Sequence, residues 1–206
     1  METAEKVYKP KNKGTKVLFN NPVVEKLTRT HIAVPISIFV VFAIALLYVG
    51  FTRTVIHPLV IIGIFVAGFL IFTLIEYIVH RYLFHMGTES EVKVKIQYAV
   101  HGIHHEYPKD KDRLAMPPLL SSILAAVFFF SFRAMMGDYV FAFLPGFVLG
   151  YASYLFVHYI VHAYQPPKNF FKILWINHGI HHYKDHDVAF GVSSPLWDVV
   201  FRTLPK

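Results

Sequence analysis

The chain has 206 residues and contains no cysteine. This absence excludes disulfide bonds, thiolate metal sites, iron–sulfur clusters and a cysteine nucleophile. Any metal ion must therefore be bound through nitrogen or oxygen atoms. The first 21 residues also lack a short apolar run followed by a small-residue cleavage site, so we expect no cleaved signal peptide.

Charged residues are scarce, at 16% of the chain, whereas hydrophobic residues make up 55% and aromatic residues 17%. This composition is typical of a membrane protein and not of a single soluble domain. The formal net charge of +7 is compatible with a nucleic-acid partner. The basic residues, however, alternate with long apolar runs and do not form one stripe with stacking aromatic residues, so we expect no nucleic acid.

Long apolar stretches predict an all-α integral membrane protein with about four transmembrane helices, because about 20 apolar residues cross a bilayer core. The predicted spans are about 32–51, 59–79, 117–136 and 139–161, arranged as two hairpins. The third span is short unless Arg133 extends its side chain to the interface. We interpret residues 1–31 as a cytoplasmic N-terminal tail and residues 32–206 as one membrane domain.

Lysine and arginine are distributed unequally between the two predicted sides of the membrane. Seven lie in residues 1–31, six in residues 81–117 and five after His162, whereas each hairpin turn has only one. Cytoplasmic flanks are enriched in these residues. Both termini and the central segment are therefore predicted to be cytoplasmic.

Ten of the 13 histidines lie at or just beyond the cytoplasmic ends of the predicted spans. They are His80, His85, His101, His104, His105, His158, His162, His178, His181 and His182. Such a concentration on one face predicts a helical cytoplasmic cap that holds metal ions. Of the other three, we interpret His31 and His57 as structural, and His186 is outside the pattern.

The pentapeptide HGIHH occurs twice, at residues 101–105 and 178–182. The first and last histidines of each copy are four residues apart and share one face of a helix. Each such pair can bind one metal ion. The middle histidine, His104 or His181, points about 100° away from its neighbour and is available to a second ion. Two facing copies therefore predict a dinuclear centre.

Two further histidine pairs flank the spans. His158 and His162 are four residues apart at the end of the last span and can bind one ion together. His80 and His85 are five residues apart, a spacing that does not align on a regular helix. We therefore expect the chain to end or deform its helix between them.

The identity of the metal follows from the ligands. Imidazole suits zinc, copper, iron and nickel, whereas structural zinc sites are usually four-coordinate. Five histidines per ion exceed that number, which favours a redox-active ion, and we favour iron.

Three other polar residues are candidates for the site. Glu76, one turn before His80, is a candidate to accept a hydrogen bond from a metal-bound histidine, or alternatively to form an interhelical salt bridge. Tyr151 and Tyr154 continue the stripe of His158 into the membrane. They are the candidate catalytic residues that would flank a substrate, although interfacial tyrosines are also common in membrane proteins.

The chain from Glu76 to Thr203 resembles the fatty acid hydroxylase/sterol desaturase superfamily, and within it the fatty acid 2-hydroxylases. The resemblance is carried by EYIVHRYLFH, HGIHHEYPKDKDRLAMPP, GYASYLFVHYIVH, the second HGIHH and AFGVSSPLWDVVFRT. It implies two metal ions, iron for activity with zinc as another ion found bound. The implied ligands are His80, His85, His101, His105 and His181 for one ion, and His104, His158, His162, His178 and His182 for the other.

The resemblance also implies a reaction, which is insertion of an oxygen atom at carbon 2 of a long-chain fatty acid, free or in a sphingolipid. The expected partners are this substrate, the lipid bilayer and a source of electrons. Many eukaryotic members carry a cytochrome b5 domain with an HPGG motif, but here His57-Pro58 is followed by Leu59. We therefore expect a separate donor, which is a cytochrome b5-like protein, a ferredoxin or a reductase.

A second departure from the family is Leu155, where members often have an aspartate. The resemblance therefore does not fix the contacts to the substrate head group. The alternatives are a hydroxylase or desaturase of another lipid, such as a sterol or carotenoid, and a non-catalytic metal-binding membrane protein. The expected location is a bacterial inner membrane, or the endoplasmic reticulum if the chain is eukaryotic.

Overall fold

The computed structural model describes residues 9–86 and 90–206. Within these ranges the fold is all-helical, without β-strands, as the composition and apolar runs predict. Residues 1–8 of the predicted tail lie outside the described residues. The α-helices of the described part of the chain are α1 Pro22–Leu27, α2 Ala33–Arg53, α3 Pro58–Ile78, α4 Glu91–Gln97, α5 Ile103–Glu106, α6 Pro118–Met136, α7 Val140–Ala163, α8 Lys172–Tyr183 and α9 Leu196–Phe201.

Three stretches of the described chain are long and apolar enough to cross a membrane, namely Ala33–Arg53, Pro58–Phe84 and Lys111–Ala163. The third stretch contains both α6 and α7. A single turn, Gly137–Tyr139, joins these two helices. The sequence predicts separate spans for α6 and α7. By helix length and hydropathy, the two helices fall within the single stretch Lys111–Ala163.

Local sequence explains where the long helices begin and end. Both α3 and α6 begin with proline, whose fixed φ suits the first helical position and whose missing N–H has no partner there. His57 caps α3, because its Nδ1 accepts a hydrogen bond of 3.3 Å from the Leu59 N–H. Gly137 ends α6 with a φ of +59°, a conformation that glycine adopts without steric cost.

Helix α7 lies at the centre of the fold and packs against α2 and α3, with buried residues along its whole length. Two glycines allow α3 and α7 to approach closely. A Cβ atom at Gly68 would collide with the carbonyl oxygen of Phe143, and one at Gly146 with that of Phe65. Helix α6 packs less tightly, and only Ser121 and Ala125 are buried on it. The closely packed α3–α7 pair therefore positions the segments that follow these two helices.

Candidate metal centre

The ten histidines of the predicted site lie in two groups of five. In each group, one nitrogen atom per residue lies within 4.8 Å of the corresponding atoms of the others. Nine of the ten side chains are buried, and His85 is half-buried. We call them the His80 group, which is His80, His85, His101, His105 and His181, and the His158 group, which is His104, His158, His162, His178 and His182.

A local π-helix brings His80 and His85 together. Residues Val79–Phe84 follow α3 without a break, but their helix is wider, with hydrogen bonds to the fifth residue along the chain. The His85 N–H accordingly donates to the His80 carbonyl at 3.2 Å. The ring centroids of the two histidines are 5.1 Å apart. The deformation that the five-residue spacing requires is therefore a π-helix, which places both rings on one face.

The middle histidine of each HGIHH copy belongs to the group that contains the outer two histidines of the other copy. His104 points away from His101 and His105 and lies beside His158, with 2.8 Å between the Nε2 atoms of His104 and His158. His181 likewise joins the other group, where its ring centroid lies 4.6 Å from that of His80. Each copy therefore contributes two histidines to one group and one to the other.

The nitrogen atoms of each group converge at short range. The Nε2 atoms of His101 and His105 are 2.9 Å apart, and those of His162 and His178 are 2.7 Å apart. Nitrogen ligands that bind one ion at about 2.0–2.1 Å and at right angles to each other lie roughly 2.9 Å apart. The spacing of these atoms is therefore that of ligands to a common ion, and the donor set fits two metal ions.

Burial favours the neutral form of four imidazoles in the two groups. Desolvation, followed by neighbouring histidines, lowers the pKa of His101 and His105 well below the ordinary value. The same two causes, in the same order, lower the pKa of His178 and His182. Only the neutral ring has a lone pair for a metal, so these histidines are in the form that metal binding needs.

A loop near the C-terminus holds two rings of the His80 group. The Nδ1–H of His80 donates to the Phe190 carbonyl at 2.6 Å. The Nδ1–H of His181 donates to the Val188 carbonyl at 2.8 Å. Such contacts fix the tautomer and direct the opposite nitrogen, Nε2, towards the centre of the group.

Two buried carboxylates hold this loop in place. Asp198 accepts hydrogen bonds of 2.9 Å from the N–H groups of Phe190 and Gly191. Glu76 accepts hydrogen bonds of 2.9 Å from the N–H groups of Val192 and Ser193, and another from the Ser193 hydroxyl. Four consecutive amides of the loop are therefore bound by two carboxylates from different helices.

The structure corrects the predicted partner of Glu76. Among the described hydrogen bonds, its carboxylate contacts loop atoms, and neither a histidine nitrogen nor a basic side chain. The acceptor for His80 is instead the backbone carbonyl of Phe190. Glu76 is therefore connected to His80 indirectly, through the loop whose Phe190 carbonyl accepts from the His80 ring.

The sequence reasoning missed Asp198 and His186. Asp198 is fully buried in an apolar segment, LWDVVF, and this isolated acidic residue was the available signal. His186 packs its ring 4.8 Å from that of His105. Its Nδ1–H donates to the His181 carbonyl at 2.6 Å. Its spacing from the HGIHH motif gave no helical signal, because α8 ends at Tyr183.

Tyr151 and Tyr154 form a stack that begins at the His158 group. The Tyr154 ring is stacked on His158 at 5.3 Å, and the Tyr151 ring is stacked on Tyr154 at 6.1 Å. Both tyrosines line an apolar cavity of about 210 Å³, which also reaches Glu76 and His80. Leu155, by contrast, is buried and contributes to packing. The cavity is therefore in direct contact with the His80 group and is separated from the His158 group by the Tyr154 ring.

The fatty acid hydroxylase family model matches residues 65–203. The chain is 38% identical over 165 residues to fatty acid 2-hydroxylase of Rattus norvegicus, covering 77% of this chain and 44% of the relative. It is 39% identical over 149 residues to dihydroceramide fatty acyl 2-hydroxylase of Arabidopsis thaliana, covering 72% and 61%. It is 35% identical over 206 residues to the ceramide very long chain fatty acid hydroxylase of Saccharomyces cerevisiae, covering 97% and 52%.

A solved structure is also similar. It is described as full-length scs7p with only the hydroxylase domain visible, and it matches with a TM-score of 0.85 and 34% sequence identity. The match covers 94% of this chain and 74% of that one. The chain spans about half the length of the curated relatives that it matches.

Proposed function

The chain belongs to the fatty acid hydroxylase family, and from this premise we propose that it is a membrane monooxygenase that hydroxylates carbon 2 of long-chain fatty acids, free or in a sphingolipid. The observation that carries the proposal is the apolar cavity, which is lined by His80 of one group and by Tyr154, whose ring is stacked on His158 of the other, and which extends between apolar helices. An acyl chain in this cavity would have its carboxyl end, and hence carbon 2, beside the histidines. The names of the relatives support the same reaction.

We propose that the His80 group and the His158 group each bind one metal ion. When bound, the metal pair supplies activation of dioxygen, which requires a redox-active ion, and we favour iron with zinc as another ion that these ligands accept. In the net reaction, one oxygen atom of dioxygen is inserted into the C–H bond at carbon 2, and the other is reduced to water by two electrons and two protons from outside the substrate. The histidines keep the ions in place, and the aromatic walls keep water from the reacting end.

The electrons must come from a group outside these residues, because imidazoles and tyrosines do not supply the electron pair that each turnover consumes. We propose a cytochrome b5-like protein, a ferredoxin or a reductase as the donor. The positive net charge of the chain suits an acidic partner of this kind.

For the topology, we propose four spans in two hairpins within one domain of residues 32–206, with the histidine cap and both termini in the cytoplasm. Helices α6 and α7 have 19 and 24 residues, close to the length that crosses a bilayer core. The bacterial inner membrane remains our predicted location, with the endoplasmic reticulum as the alternative for a eukaryotic chain. A hydroxylase or desaturase of a sterol or carotenoid, and a non-catalytic metal-binding protein, are not favoured.

Mass spectrometry of hydrolysed total lipids tests this function. The host should express the chain together with an electron-transfer protein, and parallel cultures should express His182→Ala and the control His31→Ala. His31 lies outside both groups and its Nδ1 accepts from the Ala33 N–H at the start of α2. We expect 2-hydroxy fatty acids with the unchanged chain and with His31→Ala only. The same yield from His182→Ala would contradict the proposal.

A further inference from the structure

A second apolar cavity lies beside the first one. It has a volume of about 320 Å³ and lies between α2 and α6. We call it the outer cavity, and the cavity at the histidines the inner cavity. The side chains that line the outer cavity are Ile38, Phe39, Phe42, Leu46, Ser122, Ala125, Ala126, Phe129 and Phe130. Every one of them except Ser122 is apolar, so the outer cavity suits a hydrocarbon.

The two cavities share a wall. Phe39 of α2 and Ala125 of α6 line both of them. Phe39 is only 3% exposed, and its ring meets the ring of Tyr151 edge to face at 5.2 Å and 81°. Ala125 offers only a methyl group on the opposite side. The separation between the cavities therefore depends on a single aromatic side chain.

The inner cavity has a limited depth. Along α7 it extends from Tyr154 to Phe147, which is about 10 Å at 1.5 Å per residue. Along α3 and the start of the π-helix that follows it, the cavity extends from Phe72 to His80, or about 12 Å. A very long acyl chain that begins at the histidines needs more length than this, and the outer cavity lies directly behind the shared wall.

Helix α6 is the wall that can give way most easily. Only two of its 19 residues are buried, and its side of the outer cavity includes the small residues Ser122, Ala125 and Ala126. A small displacement of α6 therefore breaks few core contacts. Passage between the cavities is therefore less costly here than across the tight α3–α7 contact.

We propose that Phe39 and Ala125 form a partition that determines which acyl chain lengths the protein accepts. Medium-length chains end in the inner cavity, and longer chains pass between Phe39 and Ala125 into the outer cavity. This inference rests on the proposed function, because it takes the acyl chain as the occupant of the inner cavity. Phe39 and Ala125 are specificity-determining residues that do not touch the reacting carbon.

The length distribution of 2-hydroxy acids provides the first test. Ala125→Phe fills the gap, so we expect the ratio of very-long-chain to medium-chain products to fall about tenfold. Phe39→Ala opens the partition and should raise the same ratio severalfold. Phe156→Ala is the matched control, because Phe156 is 55% exposed on α7 and lines neither cavity. An unchanged ratio in both partition variants would overturn the proposal.

Photocrosslinking tests the partition without catalysis. Fatty acids of medium and very long chain length, each with a terminal diazirine, are irradiated with the purified protein, and the labelled peptides are identified by mass spectrometry. We expect the medium chain to label α7 near Phe147 and the very long chain to label Phe42 and Phe129. Ala125→Phe should remove the labelling of Phe42 and Phe129 and retain the labelling near Phe147. Phe39→Ala should increase the labelling of Phe42 and Phe129.

The two assays separate the inference from the function on which it rests. Length-dependent labelling that responds to Ala125→Phe, without any 2-hydroxy product, would retain the partition and reject the hydroxylase. Products of unchanged length distribution, with labels at the same positions in all variants, would retain the hydroxylase and reject the partition. If neither cavity is specifically labelled, the proposal that the two cavities bind acyl chains would be rejected.

Discussion

The His80 group and the His158 group have the same number of histidines but are supported differently. In the His80 group, two ring nitrogens donate to backbone carbonyls of the loop 188–193. Glu76 and Asp198 accept hydrogen bonds from backbone N–H groups of the same loop. In the His158 group, the Nδ1 atoms of His104, His178 and His182 have no protein hydrogen-bond partner among the described residues.

Packing holds the rings of the His158 group that lack such hydrogen bonds. Its members lie on α5, α7 and α8, and Tyr154 is stacked on His158. The ring of His182 lies within 4.7 Å of the rings of His104, His162 and His178, measured between centroids. One group is therefore oriented by a distant loop and the other by helix packing, so the two should respond differently to substitutions outside the ligands.

His182→Ala should have the largest effect, because this residue links both groups. Its fully buried ring is stacked on His105 of the His80 group at 4.2 Å. We expect loss of activity and a lower content of both metal ions, measured by elemental analysis of the purified protein. His31→Ala is the control. If His182→Ala keeps the full metal content, His182 is not a ligand of the metal centre.

Asp198→Asn should affect the His80 group selectively. Both carboxylate oxygens of Asp198 accept hydrogen bonds from backbone N–H groups of the loop. In the asparagine variant, the side-chain NH2 group replaces one of these oxygens and would be placed against a backbone N–H, which it cannot accept from. A disturbed outer contact typically weakens metal binding by about 10- to 100-fold. We expect one of the two ions to be removed more readily in a chelator titration, while the other is unchanged.

The control for this experiment is Asp187→Asn, because Asp187 is exposed. Equal weakening of both ions would show that the two groups are not supported independently. Wild-type retention of both ions would mean that the loop does not orient His80.

Glu76→Gln should have a similar but smaller effect on the His80 group. One oxygen of Glu76 accepts both loop amides, and a glutamine can keep that oxygen in place. The Ser193 hydroxyl can rotate to accept from the new amide group. We expect slightly weaker metal loading and normal membrane insertion, measured by elemental analysis and by fractionation. Loading equal to that of the unchanged chain would contradict a role of Glu76 at the centre.

Tyr154→Phe should have the smallest effect on metal content and should act on turnover. Phenylalanine keeps the ring that is stacked on His158 and removes only the hydroxyl group of a residue that lines the inner cavity. We expect kcat to fall while the metal content stays within error. Unchanged kcat and KM would identify Tyr154 as a packing residue.

Much of the helical framework is predictable from sequence because it depends on local patterns. Apolar runs predict α2 and α3 to within a few residues, and prolines mark the starts of α3 and α6. The four-residue spacing within each HGIHH copy also predicts which histidines share a face, and the five-residue spacing of His80 and His85 predicts a deformed helix. These inferences need only the geometry of one helix.

Other features could not be predicted, because they join residues that are far apart in the chain. His80 meets Phe190 across 110 positions, and Glu76 meets Val192 across 116. No periodicity of a single segment encodes such pairs, and the one-turn spacing of Glu76 and His80 predicted the wrong hydrogen bond. The shared wall of the two cavities likewise requires α2 and α6 to be side by side.

The sequence by itself determined the class of protein, the helices and the donor atoms, because composition, periodicity and the lack of cysteine restrict these directly. Only the tertiary structure decided how the two histidine groups are oriented and where the cavities end. The reason is physical: a backbone carbonyl becomes a specific acceptor, and a phenylalanine becomes a wall, only when packing brings distant segments into contact.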